Sequence, residues 1–459
     1  MEKKRNSFSG SVGFVLAAAG SAVGLGNIWR FPYLAAKDGG GLFLVIYLVL
    51  ALTFGFTMLV TEVAIGRKTK QSPLTAYAKI HPKFRWIGLF ACLVPFMIMP
   101  YYCAIGGWVL KYAAVFLAGN GTAAAEDGFF TGFITSQYEP IVMAILFTAA
   151  TIFVVYRGVD KGIERISKIL MPILFLLILG IAIFALTIHK GDVTGLDGLK
   201  VFVIPSVKGM SAGDILIVVM DAMGQLFYSI SVAMGIMVAY GSYLRDEDNL
   251  MRSVNQIELF DTVVAFLAGV MIIPAVLVFM GPEGMTSGPG LMFIALPKVF
   301  AEMGVVGRII GVAFFIMVLF AALTSSISIL EAVVSSFMDY FKISRRRATV
   351  IEGAIAIVIA VVVCLGYNKF YFEVTLPNHV VGQILDIMDY VSNNILMPVV
   401  AIGTCILIGW AVGPKTVIEE ATKTGEKFGR RRLYHVMIRY VAPVLLLFLL
   451  LKSLGIINL

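Results

Sequence analysis

Residues 20–32 read Gly-Ser-Ala-Val-Gly-Leu-Gly-Asn-Ile-Trp-Arg-Phe-Pro and directly follow the apolar run 12–19. Three glycines, an amide and a guanidinium therefore lie within a segment that is apolar enough to begin a membrane span. A helix broken at that depth frees backbone groups, which are tolerated only where protein or a polar cavity surrounds them. Small residues also form close helix-packing faces. Asn27 and Arg30 favour a functional break, because polar groups within a span are costly.

The composition indicates a membrane protein. Of the 459 residues, 59% are hydrophobic and only 14% are charged, and apolar stretches of about 20 residues, enough to cross a bilayer, recur along the chain. We predict an all-α polytopic membrane protein without a soluble domain. Its eleven transmembrane helices are expected at residues 11–36, 41–66, 85–118, 139–156, 166–189, 214–241, 255–280, 304–340, 347–366, 378–411 and 433–453.

The distribution of Lys and Arg predicts the orientation. With the amino terminus inside, 26 of the 36 basic residues fall on cytoplasmic segments, as the excess of positive charge on cytoplasmic loops requires. We therefore expect an integral protein of the plasma (inner) membrane, with a cytoplasmic amino terminus and an extracellular carboxyl terminus. The net charge of +8 is explained by this asymmetry. Basic clusters without a soluble scaffold do not indicate nucleic-acid binding.

A second interrupted helix lies at residues 221–243, where glycines and hydroxyls are mixed into an apolar stretch. It is the sixth span, and spans 1 and 6 hold corresponding positions in two halves of five spans each. Paired interrupted segments are typical of inverted repeats that bind a transported substrate between them. We predict two inverted five-helix repeats with broken helices 1 and 6, residues 1–190 and 214–411, followed by an extra helix at 433–453.

Several motifs together resemble the neurotransmitter:sodium symporter family. They are Ala22-Val-Gly-Leu-Gly-Asn27 with Trp29-Arg-Phe-Pro32, Gly39-Gly-Gly41, Glu62 with Gly66-Arg67, Gly224-Gln225, and Leu323-Thr-Ser-Ser326. The resemblance runs in order from Arg5 to about Pro398, and bacterial members that carry amino acids often have eleven helices. It implies the LeuT fold, with substrate and sodium bound midway across the membrane.

The resemblance implies an amino-acid site between the two breaks. The carboxylate would meet the amides of Leu25 and Gly26 and the Tyr102 hydroxyl, and the ammonium would meet carbonyls around Ala22, Tyr228 and Ser231, with Ser229 beside them. The side-chain pocket would be lined by Ile98, Tyr228, Met234, Ser325 and Ile329. Without the resemblance, the sequence favours a packing role for Tyr102 as an aromatic residue of span 3. Gly24, where biogenic amine carriers have a carboxylate, favours an amino acid, and the apolar lining with one flexible Met favours a hydrophobic or aromatic side chain.

Two sodium sites are implied by the same resemblance. The first joins Asn27, Ser229 and Asp261 with the Ala22 carbonyl and the substrate carboxylate, and the second joins the Thr324 and Ser325 hydroxyls with the carbonyls of Gly20, Val23 and Ala321. Such all-oxygen sets suit a hard cation. Hydroxyls within a span often only bond back to the preceding turn, which is the alternative for Thr324 and Ser325. A carboxylate shared between substrate and Na⁺ couples their affinities reciprocally.

Paired charges predict two gates. Arg30 and Asp389 would close the outer side, with Tyr228 as a lid over the substrate, and Arg5 and Asp339 would close the inner side near Ser242 and Tyr243. The alternative is that each charge only marks the edge of the membrane.

Asp261 departs from the usual pattern, because many family members have Asn at this position. Ala265, four residues later, stands where chloride-independent relatives can carry an acid. A charge built in at Asp261 predicts independence from chloride. A buried bare carboxylate is costly once Na⁺ has left, so proton countertransport is also expected.

The predicted function is secondary active symport, in which Na⁺ drives import of a zwitterionic amino acid by alternating access, with a monomer sufficient for transport. The open alternatives are a sodium-coupled carrier of another small amine or osmolyte, a channel and a uniporter. An enzyme is not expected, since the four His residues lie at loops or span ends and no nucleophile has a base in reach. The sequence does not reveal the particular amino acid or the oligomeric state.

Overall fold

The computed structural model describes residues 7–285 and 288–457. Ten of its helices are long and apolar enough to cross a membrane, and the bent pair Ser11–Ala22 and Gly26–Lys37 adds an eleventh span. The predicted all-α polytopic architecture is therefore confirmed. Spans 2 to 11, numbered in chain order, are Gly41–Thr69, Pro82–Leu117, Glu139–Tyr156, Val159–Thr187, Ala212–Ser229, Leu250–Met280, Gly304–Phe341, Arg345–Leu365, Ile384–Ala411 and Arg431–Ser453, and span 6 continues as Ile236–Gly241.

Short elements connect the spans. The loop helices are Pro73–Ile80, Ala123–Ala125, Phe129–Thr135, Gly195–Val203, Pro282–Gly284, Leu291–Ala295 with Leu296–Glu302, and Lys415–Ala421. Two antiparallel hairpins pair His189–Lys190 with Val193–Thr194 and Val374–Thr375 with Val381–Gly382. We call the face with loops 118–138, 188–211, 281–303 and 366–383 the outer face and the opposite one the inner face.

The starts of two spans differ most from the prediction. Span 10 begins at Ile384 rather than at residue 378, because residues 374–382 form the second hairpin. Pro377 and Asn378 lie at its turn, where their backbone preferences favour a reversal over a helix. Span 5 begins at Val159 rather than at residue 166, since the π-helical turn Val159–Glu164 continues directly into the helix.

Both predicted breaks are present. Span 1 bends by 54° between its halves, 1a (Ser11–Ala22) and 1b (Gly26–Lys37). Span 6 is unwound between its halves, 6a (Ala212–Ser229) and 6b (Ile236–Gly241). In that break Ser231 and Ala233 adopt left-handed backbone angles, with φ of 54° and 60°. The Ser21 and Ser231 hydroxyls are 2.9 Å apart, so the end of half-helix 1a directly contacts the break of span 6.

Glycines let spans 2 and 6b pack backbone to backbone. A Cβ at Gly66 would lie 2.1 Å from the Val238 carbonyl oxygen, and one at Gly241 would lie 2.4 Å from the Val63 carbonyl oxygen. Real Cβ atoms do not approach so closely, so both positions require glycine. Half-helix 1a does not pack backbone to backbone at Gly20, because the nearest atoms to a Cβ at this position belong to the side chains of Met171 and Thr324.

Candidate substrate and sodium site

One cavity lies between the two breaks and spans 3 and 8. All eleven residues predicted to bind substrate line it: Ala22, Leu25, Gly26, Ile98, Tyr102, Tyr228, Ser229, Ser231, Met234, Ser325 and Ile329. Ser21, Gly24, Asn27 and Ile236 complete the lining. Ile236 is the addition that the sequence reading missed, and its position directly after Gly235, at the start of 6b, was the available signal.

The polar end of the cavity contains an unpaired hydroxyl. Tyr102 is buried, and among the described residues its hydroxyl has no hydrogen-bond partner. A Cβ at Gly24 would lie 3.6 Å from this oxygen and 3.0 Å from the Ser325 hydroxyl, so the absence of a side chain at Gly24 keeps the space between them. A buried hydroxyl without a partner is destabilising, and an acceptor such as a carboxylate would satisfy it.

The other end of the cavity is apolar, formed by Ile98, Met234, Ile236 and Ile329. Burial of a ligand's apolar group there would contribute about 25 cal/mol per Å². Tyr228 lines both this cavity and a larger cavity on the outer face. Its ring therefore stands between the two, where the lid was predicted.

The residues of the first predicted sodium set meet around the Asp261 carboxylate. Its Oδ1 accepts hydrogen bonds from Asn27 Nδ2 at 2.8 Å and from Ser229 Oγ at 2.7 Å. The Tyr47 hydroxyl donates to Oδ2 at 3.4 Å. All four residues are buried. A buried carboxylate with only neutral partners is a centre of negative charge that favours a cation beside it.

The second predicted set joins span 8 to half-helix 1a. The Ser325 hydroxyl donates to the carbonyls of Gly20 at 3.4 Å and Ser21 at 3.2 Å. The Thr324 hydroxyl donates to the carbonyls of Phe320 and Ala321 within its own helix. Thr324 thus makes the back-bond that was the alternative reading, but its side chain also lies against Gly20.

The predicted outer ion pair is not formed in this structure. Arg30 and Asp389, both described, have no nitrogen–oxygen distance within 4.0 Å. Asp389 instead accepts a hydrogen bond from Asn393 Nδ2 at 2.6 Å, and the Arg30 guanidinium lies beside Gly224. The two side chains are thus turned to different neighbours, and Arg30 of half-helix 1b, with Asn393 and Asn394 of span 10, lines a cavity of about 650 Å³, which we call the vestibule.

On the inner face, Arg5 lies outside the described residues, so its predicted pairing with Asp339 has no structural account. Asp339 accepts a hydrogen bond from the Ser72 amide at 2.7 Å. The Ser242 hydroxyl bonds back to the Ala239 carbonyl, and the Phe8 amide donates to the Tyr243 carbonyl at 3.3 Å.

A buried ion pair near Tyr243 was missed by the sequence reading. Arg345 contacts both carboxylate oxygens of the fully buried Glu331, at 2.5 and 2.9 Å. The Tyr243 hydroxyl donates to Glu331 at 2.5 Å. The available signal was an acid deep within the apolar span 8, because charges inside spans are usually paired and functional.

The sequence profile of the sodium:neurotransmitter symporter family matches residues 5–121 and 135–458. The chain therefore belongs to this family. Together with the broken helices and the cavity between them, this membership makes the protein a sodium-dependent symporter of the membrane and not an enzyme.

Individual relatives agree with this assignment. The chain is 32% identical over 468 residues to YhdH, an uncharacterized sodium-dependent transporter of Bacillus subtilis, covering 100% of this chain and 99% of that protein. It is 27% identical over 461 residues to the sodium- and chloride-dependent taurine transporter of Rattus norvegicus, covering 89% and 72%. The crystal structure of MhsT in complex with L-phenylalanine superposes with a TM-score of 0.85 at 33% identity, covering 98% of this chain and 100% of MhsT.

Proposed function

We propose that the protein imports a zwitterionic L-amino acid with a hydrophobic or aromatic side chain, driven by Na⁺, through alternating access. The observation that carries the proposal is the two-ended cavity between the breaks. Its polar end has the free Tyr102 hydroxyl and the unwound backbone of span 1, and its other end is apolar. A ligand that matches both ends combines ionic groups with a sizeable apolar group.

The ionic groups of such a ligand need partners, since unpaired charges are costly away from water. The carboxylate would accept from the Tyr102 hydroxyl and from the Leu25 and Gly26 amides, at the amino end of half-helix 1b, where the helix dipole favours an anion. The ammonium would lie toward the carbonyls of Ala22, Tyr228 and Ser231. MhsT, crystallised with L-phenylalanine, supports an amino acid of this kind.

Two Na⁺ ions are assigned to the two oxygen sets. The first would lie beside Asp261, Asn27 and Ser229, close enough to the substrate carboxylate to share it. The second would lie between Gly20, Val23, Ala321, Thr324 and Ser325. The first ion and the substrate then raise each other's affinity, and the second stabilises the contact between half-helix 1a and span 8.

Chloride independence follows from Asp261. In chloride-using relatives an anion is expected near Tyr47, Gln225 and Ser229, and here Tyr47 and Ser229 donate to the Asp261 carboxylate. The covalent negative charge of Asp261 would then replace the anion that offsets the sodium charge. When Na⁺ leaves, a proton from the inner side would neutralise this carboxylate, and the empty carrier would return it outward.

Carriers of other small amines or osmolytes are the second candidate class, because the relatives include taurine transporters. Taurine has an amine and an acid group but no apolar side chain. It would leave Ile98, Met234 and Ile329 without a ligand group to contact, so the apolar lining favours the hydrophobic amino acid.

The proposal is tested by uptake into proteoliposomes. Radiolabelled L-phenylalanine, L-leucine and taurine are each offered with an inward Na⁺ gradient, with equal Na⁺ on both sides, and with K⁺ in its place. We expect concentrative uptake of a hydrophobic amino acid only with the Na⁺ gradient, unchanged when gluconate replaces chloride. Uptake that ignores the gradient would point to a uniporter or channel, and preference for taurine would overturn the substrate class.

A further inference from the structure

The last turn of span 11 lies at the mouth of the vestibule and takes part in an ion network. Lys452 Nζ lies 3.3 Å from Asp221 Oδ1 in half-helix 6a. Lys37 Nζ, at the end of half-helix 1b, lies 2.8 Å from the other oxygen of the same carboxylate. One acid thus joins three helices, two of which carry the substrate site.

Span 11 is also tied to the opposite side of the vestibule. The Tyr390 hydroxyl in span 10 donates to the Ser453 carbonyl at 2.8 Å. A Cβ at Gly455 would lie 2.3 Å from the Pro377 carbonyl oxygen, so the chain after span 11 packs directly on the hairpin before span 10. The end of span 11 therefore connects spans 1b and 6a to span 10 while Arg30 and Asp389 remain apart.

The network depends strongly on Asp221, the acid that both lysines share. The Asp221 side chain is 19% exposed, and the Lys452 side chain is 27% exposed, so both are screened less than charges in open solvent. Removing the carboxylate would leave Lys452 without this counterion and Lys37 with only Asp38, 3.6 Å away. Loss of one partner of a partly buried pair costs more than the pair itself contributes.

We propose that the end of span 11 belongs to the outer gate and controls its opening through its contacts with half-helix 6a and span 10. The Lys452–Asp221 contact holds half-helix 6a to span 11, the Tyr390–Ser453 bond holds span 11 to span 10, and together they stabilise the arrangement in which the vestibule is open. Closure of the outer side would have to break or stretch the Lys452–Asp221 contact. This inference rests on the proposed alternating-access function.

The test measures how accessible the vestibule is. Asn394, which lines it from span 10, is replaced by Cys and labelled with a charged thiol reagent in detergent, in Na⁺ without amino acid. The four native cysteines are buried and give a low background. We expect Lys452→Met to slow labelling about two- to fivefold, as loss of one partly exposed ion pair implies, Lys452→Arg to restore it, and Asp221→Asn to slow it further.

The control is Lys190→Met. Lys190 pairs with Glu302 at 3.0 Å on the outer face, and neither residue lines the vestibule. Its labelling rate should equal that of the parent. The proposal is overturned if Lys452→Met labels like Lys190→Met, or if Arg does not restore the rate. The Lys452 variants carry the test even where Asp221→Asn does not fold.

Uptake in the parent protein separates the two proposals. Absence of Na⁺-driven amino-acid uptake would overturn the proposed function whatever the labelling shows. Na⁺-driven uptake with equal labelling of the Lys452 and Lys190 variants would overturn only the role of span 11.

Discussion

Asn27, in the first turn of half-helix 1b, donates a hydrogen bond to Asp261 in span 7 across 2.8 Å, with both side chains fully buried. The start of half-helix 1b, which would face the substrate, is thus joined to the one acid of the first oxygen set. We therefore expect a change in the charge of this acid to affect the start of half-helix 1b. Substitution of Asp261 is therefore the most direct test of the coupling between ion and substrate.

Asp261→Asn removes the built-in charge and preserves the shape of the side chain. We expect transport either to be lost or to become dependent on external chloride, because an anion would then be needed to offset Na⁺. The measurement is uptake over a range of pH with chloride or gluconate outside. An Asn variant that matches the parent in both responses, or a parent that itself requires chloride, would contradict the assignment.

Thr324→Ala with Ser325→Ala should weaken Na⁺ binding in the absence of substrate, because no substrate atom belongs to this set. Loss of two oxygen ligands is expected to lower Na⁺ affinity about tenfold or more, which corresponds to about 1.4 kcal/mol. The increase in Tm with NaCl over KCl reports the affinity. Ser326→Ala is the matched control, because the Ser326 hydroxyl contacts Thr151. An unchanged Na⁺ response in the double variant would show that the set is misplaced.

Asp389→Asn tests the outer pair, which is not formed in this structure. The variant retains a hydrogen-bonding side chain beside Asn393 but leaves Arg30 without an acid to meet when the outer side closes. Transport should therefore fall sharply while substrate binding from the outer face survives. The check is to compare equilibrium binding with uptake rate, and an unimpaired uptake rate would remove Asp389 from the gate.

Glu331→Gln leaves the Arg345 guanidinium without its counterion in a buried site. Breaking a buried pair in this way typically costs about 3–5 kcal/mol, so we expect a clear fall in Tm. The double variant Glu331→Gln with Arg345→Met should recover part of the loss, since no unpaired charge remains. A single variant as stable as the parent would mean that water already solvates this pair.

Asp38 follows directly after span 1 and is buried with one oxygen unpaired. Burial, reinforced by the negative charge of Asp221, raises the pKa of Asp38 to about 6. A raised pKa in the folded state favours folding at low pH, and that advantage is lost as pH rises from about 4 to about 6. Asp38→Asn should therefore gain Tm over the parent at pH 7.5 and lose most of this gain near pH 4.5. A gain independent of pH would exclude ionisation as its cause.

The broken spans could be predicted from sequence, because glycines and polar groups are costly within apolar helices and their presence there indicates a break. The start of span 10 could not. Val374, Val380 and Val381 are 40%, 50% and 56% exposed in the hairpin. In the sequence, such a group of valines is as apolar as the beginning of a membrane helix. Hydropathy alone does not separate the two.

The ion networks were hidden for a different reason. Glu331 and Arg345 belong to different helices, and Lys452 meets Asp221 across 231 residues of chain. Considered alone in the sequence, each charged residue indicates only the edge of a span or an isolated acid. Only the folded arrangement shows which charges meet, so pairs between distant segments are beyond a reading of local pattern.

The glycine contacts of spans 2 and 6b have a mechanical consequence. With Gly66 against Val238 and Gly241 against Val63, no side chain separates the two backbones, so we expect spans 2 and 6b to move as one unit. Half-helix 6b is therefore fixed to span 2. Half-helix 1a contacts the side chains of Met171 and Thr324 at Gly20, so it is expected to move more easily. We expect the site to open to the inner face by rotation of 1a about residues 23–25, while 6b keeps its position relative to span 2.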